Sequence, residues 1–288
     1  MPEDQDPLNA KIVERELIHD TLGIFRIAYE GEGPKKDFEP GQFANLALLP
    51  PPEAIEAEAK AAAEAEANGD APVRRRPARV KLVRRAYSIA SPPSEKRWLE
   101  FYIVAVDEGA LTPRLFDLQV GDRLFMDNKI KGHFTIKDVP DGKNLVTVAT
   151  GTGLAPFLSM YKQYKDTPGR FNKFVFIHGV RVEEDLGYRE YLTQLAKDDP
   201  RVVYLPAVSR APEDSDYAGY RGRVTTMFSD GTYEKAMGQP LNPETDHVFL
   251  CGNPAMIDQL EEELVERDGF VVKSPRQKDG NLHFERYW

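Results

Sequence analysis

A chain of 288 residues, 41% hydrophobic and 30% charged, is long for one core and comfortable for two, with the balance of an ordinary globular protein. Its net charge of -9 gives no global attraction to nucleic acid or anionic membrane. The single cysteine, Cys251, excludes an intrachain disulfide and leaves too few thiolates for an iron–sulfur cluster of the chain's own.

The first half reads as strands in chain order. IVERELI, GIFRIAYE, QFANLALL, VRRAYSIAS, WLEFYIVAV and DRLFMDN alternate and are rich in Val, Ile, Phe and Tyr. Gly, Pro and Asp punctuate them, as in GEGPKKDFEPG, PPSEK, VGD and DVPDGK. Short strands with turn signals and few helices predict a small antiparallel β-barrel. The rhythm changes near Lys143. LVTVAT, KFVFIHGV, VVYLPAVS and HVFLCG are apolar strands. Between and after them APFLSMYKQYK, YREYLTQLAKD, VTTMFSDG and PAMIDQLEEELVERDG read as helices, the last ending at Gly269. Apolar strands alternating with helices predict a parallel sheet covered on both faces. The expected architecture is two domains, a β-barrel over 1–142 and an α/β unit over 143–288.

The insertion at about 51–81 fits neither half. Pro51 to Asp70 is Ala/Glu-rich and favours helix, with Asn68-Gly69 as a C-terminal stop, yet Ile55 is its only large apolar residue. Seven basic residues follow between Arg74 and Arg85. It reads either as a solvated, partly disordered insertion or as an arm on which an acidic partner docks. No apolar run approaches the ~18–20 residues of a membrane span, and MPEDQDPLNAK lacks the apolar segment of a signal peptide. A soluble cytoplasmic protein is expected, with no nucleic-acid or membrane partner, as a monomer.

Four stretches carry chemistry. In RAYS an arginine, a tyrosine and a serine stand within four positions, Arg85 to Ser88. A guanidinium can neutralise a diphosphate, a phenol ring can stack on a flat heterocycle and a hydroxyl can donate to a ring nitrogen. A plain barrel strand with an exposed Arg and a packed Tyr is the bland alternative. In ATGTGLAPFLSMY a strand ends, Gly151 and Gly153 turn the chain, and a helix opens with Pro156, a geometry that suits phosphate or is simply a tight turn. It lacks the third glycine of a G-x-G-x-x-G fingerprint, and FIHGV stands where an NAD enzyme would place an acidic residue. Ser209-Arg210, with Arg221 and Arg223, follows the third strand and suits a 2′-phosphate, although Glu213, Asp214 and Asp216 could pair with the arginines instead. CGNPAM ends a strand and opens a helix, with Cys251 as a nucleophile or a packed small side chain, and the chain closes on HFERYW, aromatic where termini are normally polar.

The ordered set RAYS, EGALTPRL, ATGTGLAPF, VSR…RGR, CGNPAM and ERYW resembles the bacterial ferredoxin/flavodoxin–NADP reductases, from about residue 11 to 288 except the insertion. The resemblance implies an FAD-binding barrel and an NADP-binding α/β domain. It assigns Arg85 to the FAD diphosphate, Tyr87 to the isoalloxazine and Ser88 to the vicinity of flavin N5, with Ala86 among the FAD contacts. The backbone of Phe101, Tyr102, Ile103 and Val104 would hold FAD, Ala110, Leu111 and Thr112 would form a second phosphate loop, and Thr152 would lie near the flavin. Gly151, Gly153, Val180, Arg181, Ser209, Arg210, Arg223, Cys251 and Gly252 become NADP contacts, with Cys251 beside the nicotinamide. Tyr287 would cover the flavin, Trp288 would stack on adenine, and Glu285 resembles the family's acidic residue near the nicotinamide. Ser88, Cys251, Glu285 and Tyr287 are thus the expected catalytic group. The implied activity is electron exchange between NADP(H) and ferredoxin or flavodoxin; the resemblance gives the insertion no role, and docking of such a carrier at the basic run 74–85 is expected from its charge alone. An NADH-dependent flavin reductase component of an oxygenase and a flavin-bound sensing module without catalysis are the alternative readings.

Overall fold

The computed structural model describes residues 6–34, 37–67 and 81–287. Among them the strands form two six-stranded sheets. The first holds β1 (Ala10–His19), β2 (Leu22–Tyr29), β3 (Phe43–Leu48), β4 (Val83–Ser88), β5 (Leu99–Val104) and β6 (Arg123–Met126). Their order is β4-β3-β6-β1-β2-β5, all antiparallel. A bridge between Ile89 and Phe101 brings the two ends together, so the sheet curls into a barrel around Phe25, Ile27, Leu46, Phe101, Leu124 and Met126.

The second sheet holds β7 (Asn144–Thr150), β8 (Phe174–Val180), β9 (Val202–Val208), β10 (Tyr220–Arg221), β11 (Asp246–Gly252) and β12 (Leu282–Arg286). It is parallel throughout, in the order β10-β9-β8-β7-β11-β12. Both faces are covered, which is why β7, β8 and β11 are largely apolar without alternation. Leu145, Phe174, Phe176 and Phe249 pack on α3 (Ala155–Tyr164) and α4 (Arg189–Asp198). The alternate residues Val146, Val148, Val175, Ile177 and Leu250 pack on α5 (Thr232–Met237) and α6 (Pro254–Glu266). Leu22, Ile24, Tyr102 and Phe134 of the barrel half belong to the same cluster as α3, so one apolar core runs through the seam between the sheets.

Several sequence expectations need correction. VTTMFSDG is not one helix: Val224–Thr226 is a short 3-10 turn, and α5 starts later, after Gly231. The last helix stops at Glu266, short of Gly269. The second phosphate loop expected at Ala110, Leu111 and Thr112 runs straight into a helix, because α2 (Thr112–Asp117) opens at its last residue. The C-terminal segment is held by more than ring stacking, since Leu282–Arg286 pairs with β11 as a strand. A five-residue strand that starts after Gly280-Asn281 is hard to separate from a tail by pattern alone. The Ala/Glu-rich insertion is helical from Pro52 to Ala67 (α1), and Ile55 stays 42% exposed, as a helix without an apolar face requires. The stop at Asn68-Gly69 and the basic residues from Arg74 to Arg79 lie outside the described residues.

Candidate functional site

The site forms where the open edge of the barrel meets the carboxyl ends of β7 and β11. In β4 the cross-strand partners of Val83, Arg85 and Tyr87 are Leu48, Leu46 and Ala44, all in the barrel core. Directly opposed residues share a face, so Arg85 stands on the core side of its strand. It is nonetheless exposed, and among the described residues its guanidinium hydrogen-bonds only the Arg84 carbonyl, at 2.7 Å. Ala86 is exposed beside it. Tyr87 packs its ring on the barrel core while its hydroxyl is buried with no partner among the described residues. Burial pushes that phenol up to about 12.

Across the barrel mouth, β5 pairs with β2 along its whole length but meets β4 only through the Ile89–Phe101 bridge. From Tyr102 to Val104 its outer backbone edge therefore has no strand beside it among the described residues. Phe101 and Ile103 point into the barrel, whereas Tyr102 points into the seam. Ala110 is exposed, Leu111 is buried, and the Thr112 hydroxyl braces the turn by accepting from the Val106 amide at 2.9 Å.

The turns after β7 and β11 interlock. A Cβ on Gly153 would stand 2.8 Å from the Cys251 carbonyl carbon and closer still to its oxygen. Gly252, at φ 125°, lies equally tight against Thr150, with 2.9 Å to its carbonyl oxygen for a Cβ built there. The Thr150 hydroxyl accepts from the Asn253 amide at 2.8 Å, and Asn253 caps α6 through the Ala255 amide at 2.8 Å. Gly151, in the left-handed region at φ 52°, and buried Thr152 complete the 3-10 turn leading into α3.

Ser88, Cys251, Glu285 and Tyr287 converge here from both sheets. Parallel pairing puts Cys251 opposite Glu285, and the Tyr287 amide donates to the Gly252 carbonyl at 3.1 Å. The Ser88 hydroxyl donates to Glu285 Oε2 across 3.4 Å, linking barrel to parallel sheet. Burial lifts the Glu285 carboxyl to about 7, only partly offset by that hydroxyl. Burial, then the neighbouring Glu285, pushes the Cys251 thiol well above its ordinary value. Such a thiol stays protonated at neutral pH, so the nucleophile reading of Cys251 loses its chemical basis. Tyr287 packs half-buried against the seam core. Trp288 lies outside the described residues.

A second group of residues gathers at the ends of β8 and β9. Ser209 is pinned to Val180, its hydroxyl donating to that carbonyl at 3.1 Å, and the Arg210 amide donates to the Arg181 carbonyl at 2.9 Å. The side chains of Arg181, Arg210 and Arg223 are exposed and make no hydrogen bond or ion pair among the described residues. Glu213, Asp214 and Asp216 do not pair with them, contrary to one sequence expectation. Arg221 instead holds the intervening loop, donating to the carbonyls of Pro212 (2.5 Å), Ser215 (2.6 Å) and Tyr217 (3.1 Å). Sequence reasoning grouped Arg221 with the ligand-facing arginines; three backbone acceptors use it up. It missed Thr150 and Asn253, although an Asn before Pro at a helix start is a capping signal. It also missed His178, buried with Nε2 at 3.0 Å from the Gly151 carbonyl, which braces the glycine turn from behind.

A curled antiparallel sheet beside a parallel nucleotide-type sheet, with the site at its switch of partners, defines a two-domain oxidoreductase. Residues 147–262 match the oxidoreductase NAD-binding domain family. The flavodoxin/ferredoxin–NADP reductase of Buchnera aphidicola subsp. Schizaphis graminum is 35% identical over 209 residues, 72% of this chain and 79% of that protein. The ferredoxin–NADP reductase of Azotobacter vinelandii is 38% identical over 213 residues, 70% and 79% of the two chains. In solved structures, a ferredoxin NADP+ reductase from Neisseria gonorrhoeae with bound FAD and NADP shares the fold at a TM-score of 0.77, with 24% identity over 98% of this chain and all of that one. The ferredoxin reductase in carbazole 1,9a-dioxygenase shares it at 0.67, with 22% identity over 98% of this chain and 69% of that one, so fold alone does not separate the two kinds of reductase. Sequence identity does: the chain belongs to the flavodoxin/ferredoxin–NADP reductase family.

Proposed function

We propose that the protein exchanges electrons between NADPH and a one-electron carrier, ferredoxin or flavodoxin, through bound FAD. The observation that carries this reading is the convergence of Ser88, Cys251, Glu285 and Tyr287 from two sheets at one point. The residues present fit the cofactor: among the described residues the buried Tyr87 hydroxyl has no partner and the β5 backbone edge no neighbouring strand, and Arg85 is exposed on a core-side register. When bound, FAD takes two electrons together from NADPH and releases them singly, so one NADPH reduces two carriers and yields NADP+ and a proton.

The chain's own residues bind, orient and exclude water. Arg85 and the Ala110–Thr112 turn neutralise the FAD diphosphate, Ala86 and Tyr87 line one face of the ring system, and the Phe101–Val104 backbone holds its chain. Ser88 donates a hydrogen bond at the ring edge. Tyr287 would shield the bound ring system from water and would have to move aside to admit the nicotinamide, a gating step; Trp288 is assigned to adenine on resemblance alone. Gly151, Gly153 and Gly252 let backbone come close to the ligand, beside Thr152. Cys251 packs on the nicotinamide as a neutral thiol, and Glu285, poised at about 7, holds or releases a proton close to the reacting rings. Val180, Arg181, Ser209, Arg210 and Arg223 grip the adenosine 2′-phosphate. In this reading 1–142 is the FAD-binding half and 143–288 the NADP-binding half. The protein works as a cytoplasmic monomer and receives an acidic carrier at the basic run 74–85, of which Lys81, Arg84 and Arg85 are described. No helix among the described residues is long and apolar enough to cross a membrane.

Anaerobic titration with NADPH tests the central reading: a yellow holoprotein that fails to bleach rejects it. Arg210→Ala is expected to lower kcat/KM for NADPH about tenfold or more with little change for NADH, since a charge-assisted phosphate contact is lost. Equal use of both nucleotides by the unaltered protein removes the 2′-phosphate argument. Deleting residues 54–79 spares dye reduction and weakens reduction of an acidic ferredoxin at low salt; kinetics unchanged across salt concentrations reject the docking arm.

A further inference from the structure

Glu100 lies beside the site yet touches none of the residues assigned to ligands by side chain. It follows Leu99 in β5, and alternation turns it, with Tyr102, out of the barrel towards the second sheet. The residue is 1% exposed. Its carboxylate receives Arg26 Nε at 2.9 Å from β2, Lys162 Nζ at 2.7 Å from α3, and the Tyr188 hydroxyl at 3.0 Å from the start of α4. Burial would raise this carboxyl, but Lys162 and Arg26 outweigh it and hold it below the usual range.

Arg26 anchors the carboxylate within the barrel, while Lys162 and Tyr188 sit on elements that lead into the site from the second sheet. Helix α3 rises directly from the Gly151–Leu154 turn, and a helix transmits displacement as a rigid rod. Ser159, one turn before Lys162 on the same face, donates to the Ser91 carbonyl at 2.7 Å, while the Ser91 hydroxyl accepts from the Glu100 amide at 3.0 Å. Tyr188, in the left-handed region at φ 60°, closes the loop that begins at Arg181. That loop is pinned to the barrel again by the Tyr102 hydroxyl on the Asp185 carbonyl (3.3 Å) and by His19 Nε2 on Asp185 (3.1 Å). Gly187 lies so close under the Tyr102 ring that a Cβ there would meet it at 2.8 Å.

An apolar seam fills volume but does not by itself fix a sliding register. A buried ion pair adds little net stability over apolar packing, and its best-attested use is to select one arrangement. We propose that Glu100 is a positioning residue: its carboxylate sets how the nucleotide-binding half seats on the flavin-binding strand, and so the approach of the two bound rings. This rests on the function proposed above.

The test uses holoprotein carrying Glu100→Gln, with Tyr188→Phe as a second variant that leaves both ion pairs intact. Per-flavin bleaching by NADPH is expected to slow about tenfold or more in Glu100→Gln and less in Tyr188→Phe, because small misplacements of reacting groups are costly. Flavin content and the Kd of adenosine 2′,5′-bisphosphate stay unchanged. Hydrogen exchange speeds up at the amides of Ala155, Phe157 and Leu158 and at 183–188. A loss that merely follows flavin content, or bleaching at the unaltered rate in both variants, overturns the proposal. Should the unaltered protein itself resist NADPH, the functional reading fails, and exchange alone decides the seat: unchanged protection at 183–188 in Glu100→Gln overturns it.

Discussion

Gly153→Ala puts one methyl group between two backbones. Its carbon would lie 2.8 Å from the Cys251 carbonyl carbon and 3.1 Å from the Gly252 nitrogen. Carbon atoms rest at about 3.5–4.0 Å, so the overlap is about 0.7 Å or more. Neither neighbour is a flexible side chain. Gly252 cannot retreat, because its own Cα already approaches Thr150, where an added carbon would stand 3.1 Å from the amide nitrogen. The β7 and β11 turns must therefore part. Overpacking of this kind costs about 1–3 kcal/mol, which for a chain of this size lowers the melting point by roughly 5 °C. The displacement falls on Thr152 and Cys251, both buried at the site, where a shift of about 1 Å costs on the order of 100-fold in rate. Thermal melting of the holoprotein and per-flavin NADPH–dye turnover read the two effects separately. A variant within about 0.5 kcal/mol of the unaltered protein, turning over at full rate, would refute the interlock.

Three further outcomes are expected. Glu285→Gln removes a carboxyl held near pH 7 by burial, against an ordinary value of 4.5; a folded state that keeps its proton longer is stabilised below pH 4.5 and loses that advantage as pH rises through about 7. The variant should therefore be more stable than the parent above pH 7, by up to about 3 kcal/mol, and no different below pH 4.5, as melting curves against pH would reveal. His178, His247 and His283 are buried, with values lowered by burial to about 4, 4 and 3. Their contribution is complete above pH 6.5 and is lost as pH falls towards 4, so acid unfolding should shift to lower pH in His283→Gln, and an unshifted curve would contradict this. Arg221→Ala frees the loop carbonyls of Pro212, Ser215 and Tyr217; KM for NADPH should rise several-fold at constant kcat, and an equal fall in kcat would mean that Arg221 touches the chemistry.

Much of the fold was legible in the linear order of residues, for a local reason. The runs that became β7, β8 and β11 are mostly apolar and show no alternation, which a sheet covered on both faces rewards, whereas β1 and β6 of the barrel alternate buried and exposed positions over part of their length. RAYS, GTG, VSR and CGN each announced themselves by placing charge, hydroxyl or glycine where a core strand wants none. The short elements were not legible: β10 has two residues and β12 follows a turn-rich stretch, and both exist because a neighbouring strand offers a free edge.

Tertiary structure alone decided which of these residues meet. Ser88 and Glu285 are 197 positions apart and share a hydrogen bond, Arg221 donates to its own loop while Arg181, Arg210 and Arg223 find no side-chain partner among the described residues, and Glu100 gathers partners from three elements. A residue type and its periodicity report what a backbone segment will do and which face it buries. Direction and distance between segments depend on how twisted sheets and rigid helices pack around one core, and that packing is a property of the whole chain.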